Sequence, residues 1–305
     1  MKIAIVGAGG VGSYLGGLLA RAGHEVAFIA RGEHLRALCA KGLKVRSVHG
    51  DFDIPHVIAT DDPHEIGAVD LTICTVKTYD VGIIADLMRP LIDPHTAILP
   101  LQNGVETPDR LAQHFGPAVF GGAVWIVSAV TEPGVIHQQS QFRRIVFGEL
   151  DGRDTPRLHT IHQALERTGA TIEITSDIRK VLWTKLLFIA SFSGISSVTR
   201  APAGPVMTCA ESRLLLERAM REVEAVARAK GVHLAPDVVE KNMDFCDKMA
   251  PDATSSMQRD VAAGRRLEYD AVNGAIVRAG RETGTPTPIH EFFWTCLKVV
   301  DSMVT

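Results

Sequence analysis

Gly7, Gly9 and Gly12 are spaced as G-x-G-x-x-G within Gly7-Ala8-Gly9-Gly10-Val11-Gly12. Such a hexamer acts through its backbone: glycines allow a tight turn, close approach of main-chain N–H groups to a pyrophosphate, and close packing of a helix on a strand. Alone the pattern is a weak signal, with a plain turn as the alternative. Its context is specific, because it follows the β-branched run KIAIV at residues 2–6, opens a helical pattern at 11–21, and precedes a second strand-like run at 25–30. A bound dinucleotide is therefore expected. Arg31 stands where an NAD site presents a carboxylate to the ribose, and a guanidinium pairs with a 2′-phosphate, so NADP(H) is expected over NAD. Glu33 is a rival ribose ligand, and a solvated surface arginine is the plain alternative.

A second candidate is Lys185. Ser176 can cap a helix running from 177 to about 199, with Asp177 in its first turn. At about 100° per residue, Lys185 falls on a face shared by Ile178, Val181, Leu182, Phe188, Ile189 and Phe192. An ammonium there must be satisfied. Either it snorkels or pairs with a structural carboxylate, or it is a general acid whose pKa is lowered by desolvation. Such an acid suits proton donation to a carbonyl oxygen as hydride reaches the carbon.

These residues need elements to hold them. After the first strand, helix and strand, extended runs recur at 44–60, 69–76, 96–101, 118–148 and 170–175, with Pro133-Gly134 marking a turn. From 176 onward the pattern is helical, punctuated by Pro202, Pro205, Gly231, Pro236, Pro251, Gly264 and the Pro286/Pro288 pair. The expected fold is α/β: an N-terminal Rossmann-type doubly wound sheet over 1–176, which binds NADP, and an all-helical domain over 177–305 that carries substrate and catalysis.

A length of 305 residues agrees with two domains, and 46% hydrophobic residues with a net charge of -3 give ample core and no basic surface for nucleic acid. Five scattered cysteines imply neither a disulfide framework nor a metal site. The N-terminal apolar run breaks into glycines after five residues, and no stretch reads as the ~20 apolar residues of a membrane span. A cytoplasmic protein without membrane contact is expected.

The chain resembles the 2-dehydropantoate 2-reductase (ketopantoate reductase) family along essentially its whole length. The glycine hexamer with Arg31 resembles that family's NADPH site, and Thr75-Val76-Lys77 its strand-end lysine near the cofactor. Gln102-Asn103-Gly104 is similar to its loop at cofactor and substrate, and Trp183-Thr184-Lys185-Leu186 to its catalytic-lysine segment. The stretch from Ser255 to Asp260 resembles its S-S-M-x-x-D, whose second serine, here Ser256, binds the substrate carboxylate. Glu268, five residues before Asn273-Gly274, stands at its supporting glutamate, and residues 284–288 match its loop near the C-terminus. Each motif also has a plain alternative. Asn103-Gly104 makes a generic turn, Ser255 with Gln258 a capping box, Glu268 a partner for Arg265 or Arg266, and Lys77 an exposed strand end.

The sequence departs from the family at the two asparagines after the lysine, where it has Ile189 and Ser193, and at a third, where it has Ala253. Ile189 donates no hydrogen bond, and a more apolar pocket suits a different 2-oxo acid. The resemblance implies NADPH-dependent reduction of 2-dehydropantoate to pantoate, in a cleft enclosed by the two domains. It implies Lys185 and Glu268 as the catalytic pair, Asn103, Lys185, Ser193, Ser256 and Glu268 as substrate-binding residues, and residues 7–12, Arg31, Lys77 and Asn103 as cofactor-binding residues. The alternatives are a D-2-hydroxy acid dehydrogenase for another branched or aromatic 2-oxo acid, and a non-catalytic NADPH sensor. By analogy with similar helical halves, a homodimer stays open.

Overall fold

A computed structural model describes residues 1–304 of the chain, without the side chains at 80 and 81. It divides into two compact units: 1–102 with 107–178, and 103–106 with 179–305.

The first unit opens with β1 (Lys2–Val6), α1 (Gly10–Arg21), β2 (Glu25–Ile29), α2 (Gly32–Lys41), β3 (Leu43–Ser47), β4 (Phe52–Ile54) and β5 (Ile58–Thr60). It continues with β6 (Leu71–Cys74), α3 (Val81–Met88), β7 (Ala97–Pro100), α4 (Thr107–Phe115), β8 (Phe120–Trp125) and β9 (Ser128–Glu132). It closes with β10 (Val135–Gln138), β11 (Arg144–Glu149), α5 (Pro156–Glu166) and β12 (Thr171–Ile174). Five strands form a wholly parallel sheet in the order β5-β2-β1-β6-β7. Because strand side chains alternate, β1 turns Ile3 and Ile5 to the core beneath α1, and Ala4 and Val6 to the core beneath α3. That two-faced burial explains why β1 reads as a continuous apolar run.

Apart from an isolated parallel bridge between Ile98 and Val119, the β-rich stretch at 118–148 is not part of this sheet. Its strands instead build two more, β4-β3-β10-β9 and β12-β11-β8, each mixing parallel and antiparallel pairs.

The second unit holds α6 (Ile178–Thr199), α7 (Ala203–Thr208), α8 (Ala210–Ala229), α9 (Val238–Asp247), α10 (Ser256–Ala262), a π-helical turn (Asp270–Gly274), α11 (Ala275–Thr283) and α12 (Pro288–Ser302). Its core gathers Leu186, Leu187, Ala190, Leu216, Val223, Val239, Ile276 and Phe293. One expectation is corrected here: by length and composition α6 does reach membrane-span dimensions. It does so as a core helix with 67% of its apolar window buried, since a helix surrounded by others is apolar nearly all round. It starts at Ile178, one residue later than expected, where the Thr175 hydroxyl accepts from the Asp177 N–H at 3.1 Å.

Phe293 crosses α6 at Gly194, where an added β-carbon would lie 2.3 Å from the ring. Gly194→Ala is expected to cost about 1–3 kcal/mol by overpacking. The measurement is urea unfolding, and an unmoved transition would show that α12 has room to shift.

Candidate active site

The glycine hexamer of the first unit uses each glycine differently. Gly7 has φ +97°, and a β-carbon on it would stand 2.6 Å from the Val76 nitrogen. Gly12 abuts the strand layer, where a β-carbon would stand 2.3 Å from the Gly7 carbonyl oxygen and 2.4 Å from Thr75 Oγ1. Gly9 has open space on its β-carbon side, which leaves room for a ligand to reach the backbone. Gly10 is required by tertiary packing, because a β-carbon there would lie 2.5 Å from the Ser128 carbonyl on β9. Ala8 is buried and Val11 half-buried against the same core.

Hydrogen bonds then fix the turn. The N–H groups of Gly7 and Ala8 donate to the Ile29 carbonyl at 3.3 and 3.1 Å, Gly9 N–H to the Gly7 carbonyl at 2.8 Å, and Thr75 Oγ1 to that same carbonyl at 2.7 Å. The first N–H groups of α1 have no intrahelical acceptor and suit an anion. Arg31, exposed and extended, immediately precedes α2 just past the end of β2. Its rival Glu33 pairs with Arg36 at the surface. Lys77 is half-buried just beyond β6. An open Gly9 face together with a surface guanidinium past β2 fits NADP(H).

In the second unit the structure brings Lys185, Asn103 and Glu268 together. Lys185 lies on a stripe of α6 made with Val181, Thr184, Phe188 and Ile189, all half-buried. Of the residues expected to share its face, Ile178, Leu182 and Phe192 are buried while Val181, Phe188 and Ile189 are half-buried beside it, and Trp183, Leu186, Leu187 and Ala190 also turn into the core. The Lys185 ammonium donates to Asn103 Oδ1 at 3.1 Å. Crowding by protein atoms lowers its pKa from 10.5 to about 8, opposed by the Glu268 carboxylate.

Asn103 reaches this lysine because residues 103–106 belong to the helical unit. Gly104 has φ +98°, and a β-carbon on it would stand 2.7 Å from the Ala271 carbonyl. Two residues later, Glu106 is gripped by Arg278 through a two-pronged pair at 3.0 and 2.8 Å, and Arg278 also binds Asp270. Nothing in the sequence marks this clamp, as Glu106 and Arg278 are 172 residues apart. Asn273 is likewise buried, donating to the Ala190 carbonyl of α6 at 3.0 Å and lying 3.2 Å from His290 Nδ1. It thereby ties the π-helical turn after Glu268 to the lysine's helix. Burial takes the His290 pKa down to about 4, so this ring is neutral in the network.

The remaining predicted residues sit farther along. At about 1.5 Å per residue, Ser193 is roughly 12 Å beyond Lys185 on α6. Ser193 is buried. One turn later Ser196 Oγ lies 3.1 Å from Ser255 Oγ, which caps α10 by accepting from the Gln258 N–H at 3.1 Å. Ser256 is the exposed first residue of that helix. At the departures from the family pattern, Ile189 stays half-buried, and the Ala253 carbonyl accepts from Ala203 N–H at 2.9 Å.

The chain matches the family model described as ketopantoate reductase PanE/ApbA over residues 3–152, and the C-terminal model of the same family over 177–301. It is similar to the oxidoreductase YkpB of Bacillus subtilis, 31% identical over 99% of both chains. A 2-dehydropantoate 2-reductase of Mycobacterium tuberculosis is 32% identical, covering 95% of this chain and 94% of the other. The crystal structure of a 2-dehydropantoate 2-reductase from Geobacter metallireducens superposes with TM-score 0.93 at 35% identity, covering 98% of this chain and 99% of that one.

Arg278→Ala is expected to release residues 103–106, so that their amides exchange hydrogen roughly tenfold faster. Mass-spectrometric exchange reads this directly, and unchanged protection would mean that Gly104 packing alone suffices.

Proposed function

The chain belongs to the ketopantoate reductase PanE/ApbA family of oxidoreductases, and on that premise we propose that it reduces 2-dehydropantoate to pantoate with NADPH, using Lys185 as general acid. The observation that carries the reading is the Lys185 ammonium, held by Asn103 and brought by burial to a pKa of about 8. A general acid works best with a pKa near the operating pH. In this reading residues 1–176 hold the coenzyme, and residues 177–305, joined by Asn103, hold the substrate and the acid.

Bound NADPH supplies the hydride to the keto carbon. As the carbonyl oxygen gains charge, a proton passes to it from Lys185 Nζ, so hydride and proton together complete the hydroxyl. Asn103 Oδ1 fixes the direction of that ammonium, and Glu268 keeps it charged until transfer. Ser256, with Asn103 and Ser193, anchors the rest of the substrate. Residues 7–12 of the glycine turn would hold the pyrophosphate of the coenzyme, with Arg31 toward its 2′-phosphate and Lys77 beside it.

A second reading, a D-2-hydroxy acid dehydrogenase for another branched or aromatic 2-oxo acid, is favoured by what flanks the lysine. One turn beyond it, Ile189 offers no hydrogen bond, and Phe188 stacks on Phe192 at 5.6 Å while Phe245 meets it edge-on at 5.1 Å. Comparing kcat/KM for 2-dehydropantoate with that for bulkier apolar 2-oxo acids separates the two.

Lys185→Ala is expected to lower turnover at least about a hundredfold with NADPH binding nearly intact; unchanged steady-state turnover removes the lysine from the mechanism. Lys185 carries its proton below about pH 8 and loses it above. Reductive kcat/KM is therefore level below that pH and declines tenfold per pH unit above it, and a profile level to pH 9 would argue against this acid. Arg31→Ala is expected to weaken NADPH roughly tenfold or more while sparing NADH, because only the 2′-phosphate loses its partner. Equal losses for both coenzymes would place Arg31 elsewhere.

A further inference from the structure

Immediately behind the glycine turn runs a chain of three oriented hydrogen bonds. Gly134 N–H, in the turn between β9 and β10, donates to His34 Nδ1 at 3.1 Å. An imidazole nitrogen that accepts from an amide carries no proton, so the neutral ring has its hydrogen on Nε2. His34 Nε2 lies 3.3 Å from Ser13 Oγ, and Ser13 Oγ donates onward to the Ala8 carbonyl at 2.9 Å. Each group in the chain has one consistent role: the amide gives to the ring, the ring to the hydroxyl, and the hydroxyl to the carbonyl.

The endpoints matter because of where they lie. The carbonyl of Ala8 and the N–H of Gly9 belong to one planar peptide, so fixing one fixes the other. That N–H is turned back onto the Gly7 carbonyl, and the next amides open α1. His34 itself is in the first turn of α2, three residues after Arg31. The Gly134 turn packs on this helix so closely that a β-carbon there would lie 3.2 Å from Ala37 Cβ.

We propose that His34 is a coenzyme-positioning residue: through Ser13 it locks the peptide plane of the glycine turn, and from α2 it ties that turn to the helix that follows Arg31. The proposal rests on the NADP(H) reading above and extends it to two residues outside the glycine motif. The chain requires a neutral ring. Burial lowers the proton affinity of His34, Glu33 and Arg36 beside it on α2 are paired with each other, and Ser13 on α1 and Gly134 in the hairpin turn carry no charge.

The test is fluorescence titration of the purified full chain with NADPH, for wild type, His34→Phe, His34→Gln, Ser13→Ala and the Ser13→Ala/His34→Phe pair, with thermal unfolding of each coenzyme-free form. Phe keeps a ring but no hydrogen bond, and Kd is expected to rise roughly fivefold or more. Gln places an amide N–H near the position of Nε2, and is expected to hold Kd within about twofold of wild type. Ser13→Ala should match His34→Phe, and the double variant should be no weaker than either single, because all cut the same chain. A role in packing alone predicts the reverse: Phe tolerated, no rescue by Gln, and additive losses. Should His34→Phe fail to fold, Ser13→Ala and His34→Gln carry the comparison. If wild type binds NADPH and Ser13→Ala and His34→Phe bind it equally well, the positioning role falls while the coenzyme reading stands. If wild type binds neither NADPH nor NADH, the coenzyme reading fails and the positioning role with it.

Discussion

An ammonium among apolar side chains must have an acceptor, and the contact between Lys185 Nζ and Asn103 Oδ1 at 3.1 Å meets that requirement. A hydrogen bond to a charged group contributes about 1.5–3 kcal/mol, enough to orient the amine without neutralising it. The carboxylate of Glu268 acts in the opposite sense to burial, so the proton affinity settles near 8 instead of falling further. An amide oxygen accepts from the lysine and a carboxylate favours its charged form, against the burial that disfavours it.

The rest of the helical unit serves that contact. Asn103 comes from a segment that precedes α6 by more than seventy residues, so the acceptor has to be held against the helical core by contacts of its own. Gly104 permits the close pass over Ala271, and Arg278 grips Glu106 with two nitrogens. Asn273 joins the π-helical turn beyond Glu268 to the carbonyl of Ala190 on α6. Extra-residue turns of this kind are frequent at functional sites, and here the turn is pinned by a fully buried amide. The flank of the lysine on α6 is apolar, formed by Val181, Phe188 and Ile189.

The nucleotide half follows a different logic, in which the backbone is the working group and side chains only restrain it. Three glycines serve turn, approach and packing, and Gly10 a fourth purpose, the passage of β9. Thr75 and Ser13 each cap a carbonyl of the turn, and His34 stands behind Ser13. Holding the carbonyls in this way keeps the amides pre-aligned, which spares the ordering cost at the moment a ligand arrives.

Much of this was legible in the residue order. The parallel sheet, the helical second half and the roles of Gly7, Gly9 and Gly12 follow from local periodicity and glycine chemistry, which act within a few residues. The residue types of the proposed acid and its partners, Lys185, Glu268 and Asn103, were likewise readable. Three things were decided only by tertiary structure: the splitting of the strands at 118–148 into two further sheets, the half-exposed stripe that carries Lys185, and the apolar length of α6 as a core helix. The same holds for the contacts that position the site. Lys185 and Asn103 are 82 residues apart, His34 and Gly134 100, and Arg278 and Glu106 172. A sequence states what each side chain can donate or accept, but which donor meets which acceptor across such separations is set by how the chain packs.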